Sequence, residues 1–357
     1  MSADAIAPQR SRSELGARLR ALNLATVGRQ VALTVVAVGL FTYFSIAAPH
    51  FLSSANIFDM ARVSAFLLIV AVPMTYLFIA LQLDLSIGSV YGFCAVMMGV
   101  AASSWHANLW VAALVAVAFG IAVGTVNGFV TQVIGVPAFI ATLAGFSLFR
   151  GLAIGVAGGN PISYTDASGR GFSSIANGTI LGGVPDQAIW ALAVCLLGGF
   201  VLRFTRFGAH IFATGGNETA AMATGIKTRR VKFALFVLSG ASCGLIAALQ
   251  GGWLLQGDPS TGSGFELQVI AAVIVGGVAI TGGNGSIYGT LLGVSIIGML
   301  SNGLVLLGVQ ANWQQFYVGL LIAIVAAAEV GLNRRDEVRR LFRRFWRSRS
   351  AKSHPPV

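Results

Sequence analysis

The feature that most constrains this chain is a series of uninterrupted apolar stretches of about 20 residues, each long enough as an α-helix to cross a hydrocarbon core of ~30 Å. Composition agrees. Of 357 residues, 56% are hydrophobic and 10% charged, against about a quarter charged in a soluble domain, and the mean hydropathy is +0.80. A soluble globular enzyme is excluded, and the fold class that remains is an all-α polytopic membrane protein.

Polar residues, Gly and Pro divide the apolar runs into about ten transmembrane helices, at 31–48, 64–82, 86–104, 108–131, 136–157, 188–204, 232–255, 266–282, 286–308 and 313–332. The net charge of +11 does not point to nucleic acid, because 20 of the 23 basic residues fall in three blocks separated by spans. The first block runs from Arg10 to Arg29, the second from Arg203 to Lys232 and the third from Arg334 to Lys352. Six spans separate the first block from the second and four separate the second from the third. Both counts are even, so all three blocks can lie on one side, the cytoplasmic one by the positive-inside rule, with both termini there. The first apolar segment ends at Ser45-Ile46-Ala47 like a signal peptide, but its basic lead is long and more spans follow, so it reads as an uncleaved span. The domain plan is a basic cytoplasmic segment 1–30, a transmembrane domain 31–332 and a basic tail 333–357. In that tail Val338, Leu341, Phe342, Phe345 and Trp346 share one helical face and arginines the other, as in a helix lying on anionic membrane lipid.

Several motifs read as scaffold. Gly120, Gly124 and Gly128 form GxxxGxxxG, and the pairs Gly151/Gly155, Gly240/Gly244 and Gly289/Gly293 have the same spacing, which allows close helix packing. The pentapeptides 88–92 (GSVYG) and 285–289 (GSIYG) form a short internal echo of the kind left by duplicated halves. Cys94, Cys195 and Cys243 lie in apolar segments as small core residues, and the four scattered histidines give no metal-binding spacing. No cofactor is expected.

Catalytic apparatus is sparse. The sequence contains no phosphate-cradling GxxxxGK[ST], so ATP hydrolysis would belong to another polypeptide. Arg150 is charged within a span, where it would reach for a membrane face or an external acid such as Asp166. Neutral polar residues suit the path of an uncharged, hydroxyl-rich solute, because amides both donate and accept. The candidates are Asn127, Ser147 and Asn302, with Gln132, Ser301 and Gln314/Gln315 nearby; the competing reading is hydrogen bonding between helices. In the internal connection 205–231, Asn217 is a natural N-cap and Glu218 suits the positive end of a helix dipole. Ala220, Ala221, Met222 and Ala223 favour helix, and Gly225 ends it. A helix of about two turns is expected there, a peg that a soluble domain could grip.

Five stretches carry a resemblance. They are 83–89 (LDLSIGS), 136–143 (VPAFIATL), 159–162 (GNPI), Gly215-Gly216-Asn217-Glu218 through Gly225-Ile226, and 282–290 (GGNGSIYGT). In this order and spacing the chain resembles the permease subunits of bacterial ABC importers for monosaccharides, of the ribose/xylose/galactose-type branch, from about residue 35 to 330. The resemblance implies a homodimer, a cytoplasmic ABC ATPase subunit and a periplasmic sugar-binding protein. It also implies that Gly216, Asn217, Glu218, Ala220, Ala221 and Gly225 form the coupling helix seated in the ATPase. The looser importer pattern Glu-Ala-Ala-x-x-x-Gly is met by Thr219-Ala220-Ala221 and Gly225, with Thr219 where Glu is usual. A same-architecture permease for a branched-chain amino acid or nucleoside, and an ATP-independent carrier, are the competing functions.

Overall fold

The computed structural model describes residues 12–166, 171–180 and 182–310, with positions 313, 316–321, 323, 324 and 327, and side chains from residue 28. The tail 333–357, Gln314, Gln315 and most of the span 313–332 lie outside the described residues. The elements are α1 (Arg12–Ala47), α2 (Ser54–Ile79), α3 (Ile87–Ser103), α4 (Leu109–Phe129), α5 (Ala138–Ala157), α6 (Phe172–Ala176) and α7 (Asp186–Phe204). They continue with α8 (Arg206–Gly216), α9 (Glu218–Ala223), α10 (Thr228–Leu254), α11 (Phe265–Val275) and α12 (Ile287–Leu306). Two short ribbons pair β1 (Ile162–Ser163) with β4 (Gln256–Gly257) and β2 (Thr179–Ile180) with β3 (Val184–Pro185), both antiparallel.

Side-chain caps set several helix starts: Ser53 accepts from Asn56 N–H (3.3 Å), Asn108 from Val111 (2.9 Å) and Ser286 from Gly289 (3.0 Å), each satisfying an N–H that has no partner inside the helix. After α4 a π-helical turn, Val130–Ile134, ends at Gly135 with φ +92°. Pro137 then sets the entry to α5. The basic lead and the first span form one continuous helix, α1.

Among the described residues seven helices are long and apolar enough to span a membrane: α1 from Gly28, α2, α4 with its π-turn, α5, α7, α10 and α12. Two of the expected spans are shorter. The segment 86–104 holds a 17-residue helix preceded by irregular chain, and 266–282 begins inside the 11-residue helix Phe265–Val275, after which 276–286 is irregular. Each irregular segment is buried in part: Asp84 and Ser86 in one and Val278 in the other are at most 2% exposed, while Leu81 and Ile280 are exposed. Such backbone is tolerated at membrane depth only when protein surrounds it.

The bundle has two distinct ends. At one, the Gly283 N–H donates to the Ile79 carbonyl at the end of α2 (2.9 Å), and Gly215 packs so tightly on that carbonyl that a Cβ would lie 1.6 Å from its oxygen. Arg29 of α1 approaches Gly277 nearer the same end. At the other, Phe44 and Phe51 pack with Met299, Asn56 pairs with Asn302, and β1 meets β4. Glycines join the helices between. Gly240 and Gly244 of α10 face Gly120, Gly124 and Ala116 of α4, and Gly289 and Gly293 face Gly276 and Ala272. Gly151 and Gly155 do not take part: nothing lies within 4 Å of a Cβ placed there. The pentapeptide echo also does not mark equivalent positions, because Ser286 caps α12 whereas Ser89 sits three residues deeper, inside α3, whose cap is Ser86. All three cysteine thiols are free and buried.

Candidate functional site

The first site is the connection between α7 and α10, which holds two helices rather than one. Thr205 caps α8, accepting from Gly208 N–H at 3.2 Å, and Gly208, Ile211, Thr214 and Gly215 form its buried face. That spacing and the Thr205 cap were the available signals for α8. Asn217 is extended (φ −161°, ψ 100°), ends α8 and caps α9, its Oδ1 accepting from Ala220 N–H at 3.0 Å. The expected helix over 216–226 is therefore the six residues Glu218–Ala223, and Gly216 belongs to α8. Gly225 adopts φ +87°, and the N–H groups of Gly225 and Ile226 return to the carbonyls of Met222 and Ala221. That left-handed closure favours glycine, which has no Cβ to clash.

This short helix is held from beneath and exposed above. Ala221 is 5% exposed and Met222 is 52% exposed. Lys232 Nζ, from the first turns of α10, donates to Glu218 Oε2 at 2.7 Å. Partial burial pushes the Glu218 carboxyl upward, but the Lys232 hydrogen bond and charge, with Arg229 nearby, outweigh it and hold the group below the ordinary carboxylate value.

The second feature is a buried polar chain in the interior. Asp84 Oδ1 accepts from the Ser86 N–H (3.0 Å) and hydroxyl (2.6 Å), and its Oδ2 accepts from Ser239 Oγ of α10 (2.9 Å). Asn127 Nδ2 of α4 donates to Ser86 Oγ at 2.9 Å. Asn127, a candidate for the solute path, is thus 4% exposed and engaged in fixing the irregular segment before α3. Ser147 lies on the exposed face of α5. Asn302 makes a reciprocal amide pair with Asn56 (2.8 and 3.1 Å). The three do not form one site. Arg150 donates to the carbonyls of Pro259 (2.5 Å), Thr261 (2.8 Å) and Gly88 (3.2 Å), with Glu266 and Asp258 as its neighbouring acids. It ties α5 to the chain entering α11, in place of the expected reach to Asp166, which accepts from Ser173.

The third feature is a cavity of about 370 Å³ at the end opposite α9, walled by α2, α3, α10, α11 and α12. Asn302 and Ser301 line it, together with Gln250, Trp253 and Gln268, which the sequence did not single out. Their signal was present, amides within otherwise apolar runs, but nothing in the sequence ranked those two glutamines above the others.

A helical bundle with protein-lined irregular chain inside it, a cavity at one end and a capped, exposed helix at the other is the build of a multi-pass membrane transport component. The chain belongs to the family described as branched-chain amino acid transport system / permease component, whose model matches residues 56–326, and it is a multi-pass inner-membrane protein. It is 36% identical to the probable ABC transporter permease protein YphD of Escherichia coli K12, over 86% of this chain and 91% of that protein. It is 35% identical to the ribose import permease protein RbsC of the same strain (81% and 90%), and 30% identical to the xylose transport system permease protein XylH of Haemophilus influenzae (84% and 96%).

Proposed function

We propose that this chain is the transmembrane permease of an ATP-driven importer, translocating a monosaccharide or related polyol by alternating access. The observation that carries it is α9: six residues capped by Asn217 and closed by Gly225, anchored through Ala221 and Lys232, with Met222 outward. A carrier working alone has no use for a rigid peg of this kind. A separate cytoplasmic ATPase grips α9, a periplasmic binding protein delivers the solute at the end bearing Trp253, and closure of the ATPase opens the bundle outward.

The sidedness follows the same logic. Counting α3 and α11 with their irregular segments, and the expected span 313–332, gives ten crossings with both termini in the cytoplasm. In support, Ile79, Gly215 and Gly283 meet at one end while Asn56, Ile162, Gln256 and Asn302 gather at the other. The second basic block, Arg203 to Lys232, then flanks α9 on the cytoplasmic side. The homodimer has a natural face on α5, where Ser147, Gly151 and Gly155 are exposed and a second backbone can come close.

Glu218→Arg and Gly225→Arg test the proposal. Both leave membrane insertion normal and abolish uptake through the assembled complex; uptake at the unmodified rate would sink the ATPase reading. A second reading, a branched-chain amino acid as solute, is favoured by the description of the matched family. Competition of labelled ribose and labelled leucine for uptake separates the two.

A further inference from the structure

The cavity opposite α9 holds groups that the fold itself leaves idle. The side-chain amides of Gln250 on α10 and Gln268 on α11 make no hydrogen bond to any described residue, and the Ser301 hydroxyl on α12 is buried without a partner. A buried hydroxyl left without a partner costs about 1–3 kcal/mol, so Ser301, with two half-buried and unengaged amides on the same cavity, marks a place where something else supplies the hydrogen bonds. Trp253 forms a fixed wall. Its ring is stacked with Phe66 at 6.3 Å and covered by the Arg62 guanidinium at 4.8 Å. Arg62 in turn pairs with Asp59 at 3.2 Å, so the charges at the rim are matched to one another.

We infer that this cavity is a transit subsite for one uncharged polyhydroxylated ring, with Gln250, Gln268 and Ser301 exchanging hydrogen bonds with its hydroxyls and Trp253 and Phe265 lining its apolar faces. The inference rests on the sugar-importer reading and adds to it a place and a set of residues. Amides and a hydroxyl both donate and accept, as ring hydroxyls require. A cationic or anionic solute would meet no countercharge, because Asp59 and Arg62 are spent on each other. The volume, about 370 Å³, is at the low end for small-molecule sites (about 300–1,000 Å³) and suits a single ring. Binding must be weak, since a solute in transit has to leave as readily as it enters.

The test uses the full-length permease in lipid nanodiscs, titrated with ribose, xylose and, as control, leucine, and read by tryptophan emission. A saturable change with either sugar and none with leucine is expected. Trp253→Phe should remove the signal, and the double variant Gln250→Leu/Gln268→Leu should raise half-saturation at least about tenfold. Gln268→Asn, which keeps the amide, should retain binding, and its thermal melt guards against misfolding. No saturable response to either sugar up to about 100 mM, while the assembled complex still takes up that sugar, overturns the subsite and leaves the importer standing. A response to leucine alone overturns both.

Discussion

Two helices of this bundle carry the same GxxxG spacing and use it in opposite ways. On α10, Gly240 and Gly244 meet the backbone of α4 so closely that a Cβ on Gly240 would lie 2.1 Å from the Gly120 carbonyl oxygen; on α5, a Cβ on Gly151 or Gly155 would meet nothing within 4 Å. The motif therefore states a capacity for close approach, and the neighbour decides whether the capacity is used inside the chain. On α10 it forms the spine that carries Lys232 at one end, Ser239 in the middle and Trp253 at the other. On α5 it is left at the surface, for lipid or a second copy.

The largest effect expected from this contrast is at Gly240. Gly240→Leu forces backbone against backbone, with no flexible side chain to yield, a penalty above the about 1–3 kcal/mol of ordinary overpacking. Folded protein recovered by size-exclusion chromatography in detergent should be largely lost. Gly151→Leu should leave the monomer fold and its melting temperature unchanged and alter only self-association. If both variants melt alike, the contrast is broken.

A smaller loss is expected along the α10 spine at Ser239. Ser239→Ala removes one of three donors to the Asp84 carboxyl group, a cost of about 1.5–3 kcal/mol if the group is charged, seen as a lower melting temperature. Cys243, four residues on and also buried, should tolerate Cys243→Ala better, because no hydrogen bond to a charged group is lost.

The uneven legibility of the fold has physical causes. Long apolar runs locate α2, α4, α5, α7, α10 and α12, because hydropathy over about 20 residues reports burial in lipid or in a bundle. It does not report conformation. The segment 266–282 is apolar throughout, yet the chain leaves the helix after Val275, where Gly276 and Gly277 lie against Gly289 and Arg29. The α9 cap was legible because Asn217 and Gly225 act locally, through hydrogen bonds to residues three positions away, whereas the Glu218 partner Lys232 lies 14 residues on. Asn127 was misleading for the opposite reason: its partner, Ser86, is 41 residues away. Gln250 and Gln268 are separated in sequence and become neighbours of one cavity only when α10 and α11 are in place.

The smallest effect concerns acid. Because the folded Glu218 carboxyl sits below its ordinary value, its pair with Lys232 contributes fully above the ordinary carboxylate range and is lost only as pH falls through the lower, folded value. Proteolysis of the 217–227 connection should be constant from neutral pH down to that range and increase only below it. Glu218→Gln should abolish this pH dependence.

The central claim, that α9 is the seat of a separate ATPase, is tested most directly by cross-linking in native membranes from single-cysteine variants in a background lacking Cys94, Cys195 and Cys243. Met222→Cys, on the exposed face, should form an adduct with a soluble ATPase subunit identified by mass, and Ala221→Cys, on the buried face, should not. Failure of Met222→Cys to capture an ATPase, with solute flux persisting in vesicles without ATP, would contradict the account.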